Sequence, residues 1–416
     1  MKKYYALVSI LVFTGLLMIG CSSNDATEDT QENIEENNRE TSSQSIENKP
    51  DFTEIHELEQ DRDISRELMS INYDGSIVFF NLEDTSGDDK IKTPYFYYDE
   101  ELIDASSVGD FTECRFRLYE SDTTNATGKC KDPDGTRVAV VYDVANNTIT
   151  HATDNDRILY PLNDGRVLFT IEYGHDGTIY ELTENGTEPF IEIDDIPSIL
   201  DISYDQDAEV FFIDGANDDY WNAYVYDTTS EEGPVLFREV ADDDEATTVE
   251  GNISPDGKYI FYRYRGITSG KHYNYNEHYI YNRETEEEIG LGQGFSLNFV
   301  RPNGWVIDDV RKYGQVIYNV HTDKWLAPEE ADINFTDSTY ANQYISEEDK
   351  EHFRGTTVAA ISGDGETVLL LDSFYPLGED KYTKLKTMAT DDYINFLEEN
   401  DVEIDFEPSP FDEKGA

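Results

Sequence analysis

Positive charge is what this chain has least of. Against 90 Asp and Glu stand 31 Lys and Arg, a formal net charge of −59 over 416 residues. Nucleic acid and anionic membrane are disfavoured as partners, since both need a basic face. The acids are spread along the chain in short runs such as Asp242-Asp243-Asp244-Glu245, as expected of a solvated surface. Such a surface suits high salt, where cations screen self-repulsion, or an alkaline exterior. A Gly-x-Ser-x-Gly elbow is missing, which excludes a serine hydrolase of the α/β type. The seven histidines are scattered. His272 and His278, with Glu277 between them, lie in a Tyr/Asn-rich loop and read as solvated rather than as zinc ligands. Asp205-Gln206-Asp207 and Asp214–Asp219 offer oxygen ligands, yet no segment has the Gly and Glu positions of an EF-hand loop. No metal or cofactor is expected.

Long apolar runs are equally rare. One spans residues 6–19, after Lys2-Lys3 and before Gly20-Cys21. At about 14 residues it is short of the roughly 20 that cross a bilayer as a helix. A basic start, a short apolar stretch and a small residue before the cut make a secretory signal, residues 1–20. The end of the run, Leu17-Met18-Ile19-Gly20-Cys21, resembles the bacterial lipobox. That resemblance implies that Cys21 carries the lipid, as a palmitate-bearing anchor, and that the protein works on the outer face of the cell membrane. Residues 21–50 are Ser, Thr, Asn, Glu and Asp with almost nothing apolar, and read as a disordered acidic stalk. Of the three cysteines, Cys114 and Cys130 then remain; disulfides persist outside the cytoplasm, and this pair is read as one.

The body, residues 51–416, has few helical signals: residues 346–353, with Ser346 as N-cap, and a stretch near 390–399. It carries instead a recurring turn that launches a β-rich run. Asn72-Tyr73-Asp74-Gly75 precedes Ile77-Val78-Phe79-Phe80, Asp132-Pro133-Asp134-Gly135 precedes Val138-Ala139-Val140-Val141, and Leu162-Asn163-Asp164-Gly165 precedes Val167-Leu168-Phe169. Ser254-Pro255-Asp256-Gly257, Arg301-Pro302-Asn303-Gly304 and Ser362-Gly363-Asp364-Gly365 continue the series, with a degenerate copy at Ser203-Tyr204-Asp205-Gln206-Asp207. Asp-Gly supplies the positive φ of a tight hairpin, and the β-branched and aromatic run is the strand leaving it. The turns fall about 48 residues apart on average, within the 40–50 of propeller repeats. The expectation is an all-β fold, a β-propeller of seven blades. Unequal spacing, 60 residues from Gly75 to Gly135 and 30 to Gly165, leaves six or eight open.

Ser254-Pro255-Asp256-Gly257-Lys258-Tyr259-Ile260-Phe261 resembles the WD40-like propeller repeat of TolB-type proteins, in which Ser-Pro-Asp-Gly joins the first two strands of a blade. The looser turns extend the resemblance over about residues 66–390. None of Trp221, Trp305 or Trp325 precedes Asp, so these are not true WD repeats. Residues 51–65 are too few for the α/β domain that precedes a TolB propeller, so the resemblance implies the propeller and not a Tol–Pal role.

One segment departs from the acidic background. Arg263, Arg265, Lys271 and His272 alternate with Tyr262, Tyr264, Tyr273 and Tyr275 in a long connection between strands. Loops at a rim often carry function, and Tyr with Arg is the pair favoured in hot spots. Arg263, Arg265, Lys271, Tyr273 and Tyr275 are the candidate binding residues, against the reading that these tyrosines pack on a neighbouring blade. The expected function is an envelope-anchored, monomeric lipoprotein whose propeller binds an envelope or extracellular protein or polysaccharide, without catalysis of its own. The alternative is an enzyme acting on polysaccharide from a central pocket with paired carboxylates.

Overall fold

Three of the Asp-Gly turns are built by the same local chemistry. Ser254 Oγ donates to Asp256 Oδ1 at 2.6 Å and accepts the Tyr259 amide at 2.9 Å. Ser362 does the same with Asp364 and the Thr367 amide, and Asn72 with Asp74 and the Ile77 amide. The glycine is required both by its backbone angle and by contact with a neighbouring turn. Gly257 has φ 71°, and a Cβ there would lie 2.9 Å from Asp205 Oδ2 of the preceding turn. At Gly365, φ 84°, a Cβ would meet Asn303 Oδ1 at 2.2 Å.

The computed structural model describes residues 52–57, 62–84, 92–119, 124–171, 177–183, 186–193, 198–205, 207–216, 221–240, 248–267, 274–293, 299–310, 314–328, 339–376, 382–400 and 403–404. The signal, Cys21 and the stalk, together with Lys271 and Tyr273, lie outside the described residues.

The described strands fall into successive antiparallel meanders. Meander 1 is Arg62–Ile71, Ile77–Asp84, Lys92–Tyr98 and Glu101–Asp104. Meander 2 is Phe111–Leu118, Asn125–Lys131, Arg137–Asp143 and Thr148–Asp154, with the short Ser107–Val108 at its edge. Meander 3 is Arg157–Pro161, Val167–Ile171, Thr178–Thr183 and Gly186–Glu192. Meander 4 (Ser198–Tyr204, Val210–Ala216, Trp221–Asp227, Val235–Arg238) meets meander 5 (Thr248–Ile253, Tyr259–Ile267, Asn274–Asn282, Glu288–Gln293) through one parallel bridge, Trp221 to Thr248. Meander 6 is Trp305–Val310, Gly314–Asn319 and Lys324–Leu326. Meander 7 is Phe353–Ile361, Thr367–Phe374 and Tyr382–Ala389, and its last strand pairs with Phe52–Glu57 from the start of the body, Phe52 opposite Met388.

The core is divided among the gaps between meanders. Because side chains alternate across a strand, each central strand feeds two cores. Ile77 and Phe79 pack with Phe116, Val140 and Tyr142 of meander 2, while Val78, Phe80 and Leu82 pack with Leu369, Leu371 and Leu385 of meander 7. Phe211 and Ile213 face meander 3; Val210 and Phe212 face Ile260 and Tyr262 of meander 5. Clusters between 2 and 3, 5 and 6, and 6 and 7 complete the circuit. Every meander therefore packs on both neighbours, and the last packs on the first. This all-β fold is a β-propeller, closed where the N-terminal strand joins the final sheet.

The uneven turn spacing has a structural cause. In meanders 1, 3, 4, 5 and 7 the turn joins the first and second strands. In meander 2 Asp132-Pro133-Asp134-Gly135 joins the second and third, one hairpin later. This splits the distance from Gly75 to Gly165 into 60 and 30.

Helix α1 spans Thr339–Tyr344 and α2 spans Thr390–Glu399. The helix expected over residues 346–353 is instead a bend with one 3-10 turn, Lys350–His352. Ser346 does cap it, accepting the Asp349 amide at 3.2 Å, but the chain enters the strand Phe353–Ile361 at once. Strand pairing with Thr367–Phe374 overrides the cap.

Candidate axial binding site

Residues of non-neighbouring meanders can meet only near the axis of such a ring, and two groups do. At the turn end, burial first and then the negative charges of Asp364, Asp256 and Asp207 push the Tyr73 phenol up, from turns of meanders 7, 5 and 4 acting on that of meander 1. Adjacent turns are tied directly: the Asp364 amide donates to Tyr73 O at 2.8 Å, and Asn303 Nδ2 to Gly365 O at 2.9 Å.

The second group is richer. Arg117 of meander 2 lies with Nη1 3.5 Å from Asp201 Oδ2 of meander 4. Between them, Tyr160 of meander 3 donates its hydroxyl to Asp201 Oδ1 at 2.9 Å. Burial, then the charge of Asp201, holds that phenol well above its ordinary range, so it stays a donor. The Ile202 amide also donates to Asp201 Oδ1, at 3.0 Å. The Arg117 guanidinium stacks over the Tyr119 ring at 4.6 Å. The side chains of Arg117 and Asp201 are 56% and 40% exposed, so the pair rests on a buried tyrosine and opens to solvent.

Asp214 and Glu250 continue this arc into meanders 4 and 5. Glu250 Oε2 accepts from Arg263 Nη2 at 2.6 Å and Nε at 3.1 Å, while Arg265 Nη1 lies 3.6 Å from Oε1. Asp214 is buried, and among the described residues its Oδ1 has no hydrogen-bond partner. Burial first, then the charges of Asp201 and Glu250, pushes its carboxyl well above the usual range and favours the neutral acid; the Gly251 amide and Arg263 oppose this.

The structure accordingly redistributes the residues singled out in the sequence. The expected long connection is mostly hairpin, because its alternating Tyr, Arg and Asn suit a ladder that runs on to Ile267 opposite Asn274. Arg263 is committed to Glu250, and Arg265 stands half-exposed opposite Asn276. The Tyr275 backbone pairs with Gly266. His278 is no solvated loop residue: it is 0% exposed, with Nδ1 2.7 Å from Asp308 Oδ2 of meander 6 and Phe261 edge-on at 5.4 Å. Pairing across the hairpin carries it under the next sheet, which its polar neighbours in sequence conceal. Asp205 is a turn cap, accepting the Glu209 and Val210 amides at 3.0 and 3.1 Å. Cys114 and Cys130 form a disulfide with Cα atoms 4.1 Å apart. The described residues contain no cluster of His, Cys, Asp and Glu able to hold a metal ion. Arg117, Tyr160 and Asp201 were missed by sequence reasoning, which named Asp214 only as an oxygen ligand; the scarcity of basic residues was the one signal that could have marked Arg117.

No family model matches the chain, and no curated protein matches its sequence. Among solved structures it is similar to the hydrazine synthase of Kuenenia stuttgartiensis (11% identity, 76% of this chain and 94% of that one, TM-score 0.43). It is also similar to a chain of the mitotic checkpoint complex (11%, 90% and 98%, TM-score 0.43). TolB from Acinetobacter baumannii aligns at 13% identity over 77% and 78%, TM-score 0.34. These likenesses transfer no residue roles, so the axial group stands on its own geometry.

Proposed function

We propose that this protein is a lipid-anchored propeller of seven blades, held at the outer face of the cell membrane through Cys21, that binds a protein or polysaccharide at its axis. The observation that supports the binding role is the Arg117–Asp201 pair, solvent-open yet fixed from beneath by Tyr160. The pair joins the first strands of two non-neighbouring meanders. The seven turns, and the closed series of cores among the described residues, support the blade number. A photo-reactive amino acid at position 265, half-exposed in the same arc, should trap a partner when intact cells are irradiated. Irradiated cells that yield only uncrosslinked protein would overturn the axial binding role. Cys21→Ala should release the protein from membranes, and retention after a high-salt wash would overturn the anchor.

One observation favours catalysis on polysaccharide as a second reading. Asp214 and Asp201 influence each other electrostatically, yet one is pushed towards its neutral form while the other is exposed and paired with a cation. A buried acid held neutral near an exposed acid paired with a cation is an arrangement that can serve as acid and base. Under this reading Asp214→Asn abolishes cleavage of a polysaccharide while leaving its binding intact.

A further inference from the structure

We propose that the Arg117–Asp201 pair is a subsite for a neutral saccharide, in which a single ring hydroxyl accepts from Arg117 and donates to Asp201. The inference rests on the axial binding role above and narrows its ligand to one chemistry.

Three features select a hydroxyl. First, the pair is loose: 3.5 Å exceeds the 2.7–2.9 Å of a good charge-assisted bond, so both groups keep hydrogen-bonding capacity. Second, both are positioned in advance. Asp201 Oδ1 is occupied by the Tyr160 hydroxyl and the Ile202 amide, which leaves Oδ2 as the oxygen shared with Arg117. Arg117 lies over the Tyr119 ring, and a guanidinium so placed still offers N–H donors. Third, the local charge is balanced. An anion would compete with Asp201 for Arg117 inside a protein of net charge −59, and a cation would meet the guanidinium. A hydroxyl is donor and acceptor at once, so it satisfies both groups with no net charge to place.

The test is saturation-transfer NMR of the full chain with short neutral oligosaccharides (glucan, xylan, mannan and chitin fragments), with oligogalacturonate as the acidic comparison. At least one neutral fragment should show transfer. Its affinity should be unchanged from about 0.1 to 1 M salt, since no ligand charge is screened. Asp201→Asn and Arg117→Met should each weaken it roughly tenfold or more, by loss of a charge-assisted hydrogen bond. Asp134→Asn, on an exposed turn, should leave it intact, and circular dichroism should show all variants folded. Transfer from no neutral fragment, transfer from the acidic one alone, or unchanged affinity in both axial variants would overturn the saccharide subsite. If the saccharides fail while position 265 still traps a partner in cells, the axial binding role stands and this ligand class falls. If both fail, both readings fall.

Discussion

Two ion pairs in this protein use the same charges to opposite ends. Asp372 and Lys386, on neighbouring strands of meander 7, are each 3% exposed and 2.5 Å apart. The Tyr340 hydroxyl from α1 donates to Asp372 at 2.9 Å, and the Lys386 ammonium lies over the Tyr340 ring at 4.7 Å and the Tyr344 ring at 5.7 Å. The pair is buried against two rings, and the cluster fastens α1 to the sheet. Arg117 and Asp201 are farther apart, open to water and supported from one side. The first pair is a lock and the second a surface; the difference lies in what surrounds each pair.

The comparison is broken most severely at the lock. Lys386→Met leaves Asp372 buried without its cation, which should cost about 3–5 kcal/mol in denaturant unfolding. The double variant Asp372→Leu/Lys386→Met should recover most of that loss, because no charge is then stranded. A single variant as stable as the parent would show the pair to be dispensable. The next largest effect is expected at the disulfide, which closes a separation of 16 residues under the meander 1–2 core. Replacing Cys114 and Cys130 with Ser should cost about 3 kcal/mol, the loop-closure value for that length.

What was legible in the sequence follows the range of the interactions concerned. Ser254, Asp256 and Gly257 announce their turn because the cap, the acceptor and the positive φ lie within five residues. The runs Val210-Phe211-Phe212-Ile213 and Val368-Leu369-Leu370-Leu371 announce buried strands because both faces are apolar. The strand Phe52–Glu57 gave no such signal. Its partner lies at the opposite end of the chain, and nothing in Phe-Thr-Glu-Ile-His-Glu says that it closes a ring. The axial site was invisible for the same reason. Arg117 and Asp201 are 84 residues apart and become neighbours only where meanders 2, 3 and 4 pack side by side. Composition drew attention instead to Arg263, whose charge is already met by Glu250 across its own hairpin.

A smaller effect separates the degenerate turn from its siblings. Where three turns use Ser or Asn as the cap, meander 4 uses Asp205, as meander 2 uses Asp132. Burial first, then the nearby charges of Asp207 and Glu209, raises its pKa to about 6 although two amides oppose the rise. The folded protein thus holds this proton to higher pH than the unfolded chain does. Its stabilising contribution is complete below about pH 4, the ordinary Asp value, and is lost as pH rises through about 6. Asp205→Asn should remove that slope and raise the melting temperature at neutral pH, where the parent carries a buried charge. An unchanged slope between pH 4 and 6 would assign it to other acids.

The smallest expected effect is also the sharpest discriminator between lock and surface. Exposed ion pairs contribute about 0–1 kcal/mol, since water already solvates both partners well. Arg117→Met and Asp201→Asn should therefore each shift unfolding by less than about 0.5 kcal/mol, in contrast to the loss at Lys386. Asp201→Asn also keeps an oxygen to accept the Tyr160 hydroxyl, so even the buried support survives. Near-parent stability with diminished saccharide transfer would establish that these residues are held for a ligand. Should either variant instead destabilise as severely as Lys386→Met, the axial pair would be a second lock, exposed only in part and needed to keep meanders 2 and 4 on either side of Tyr160.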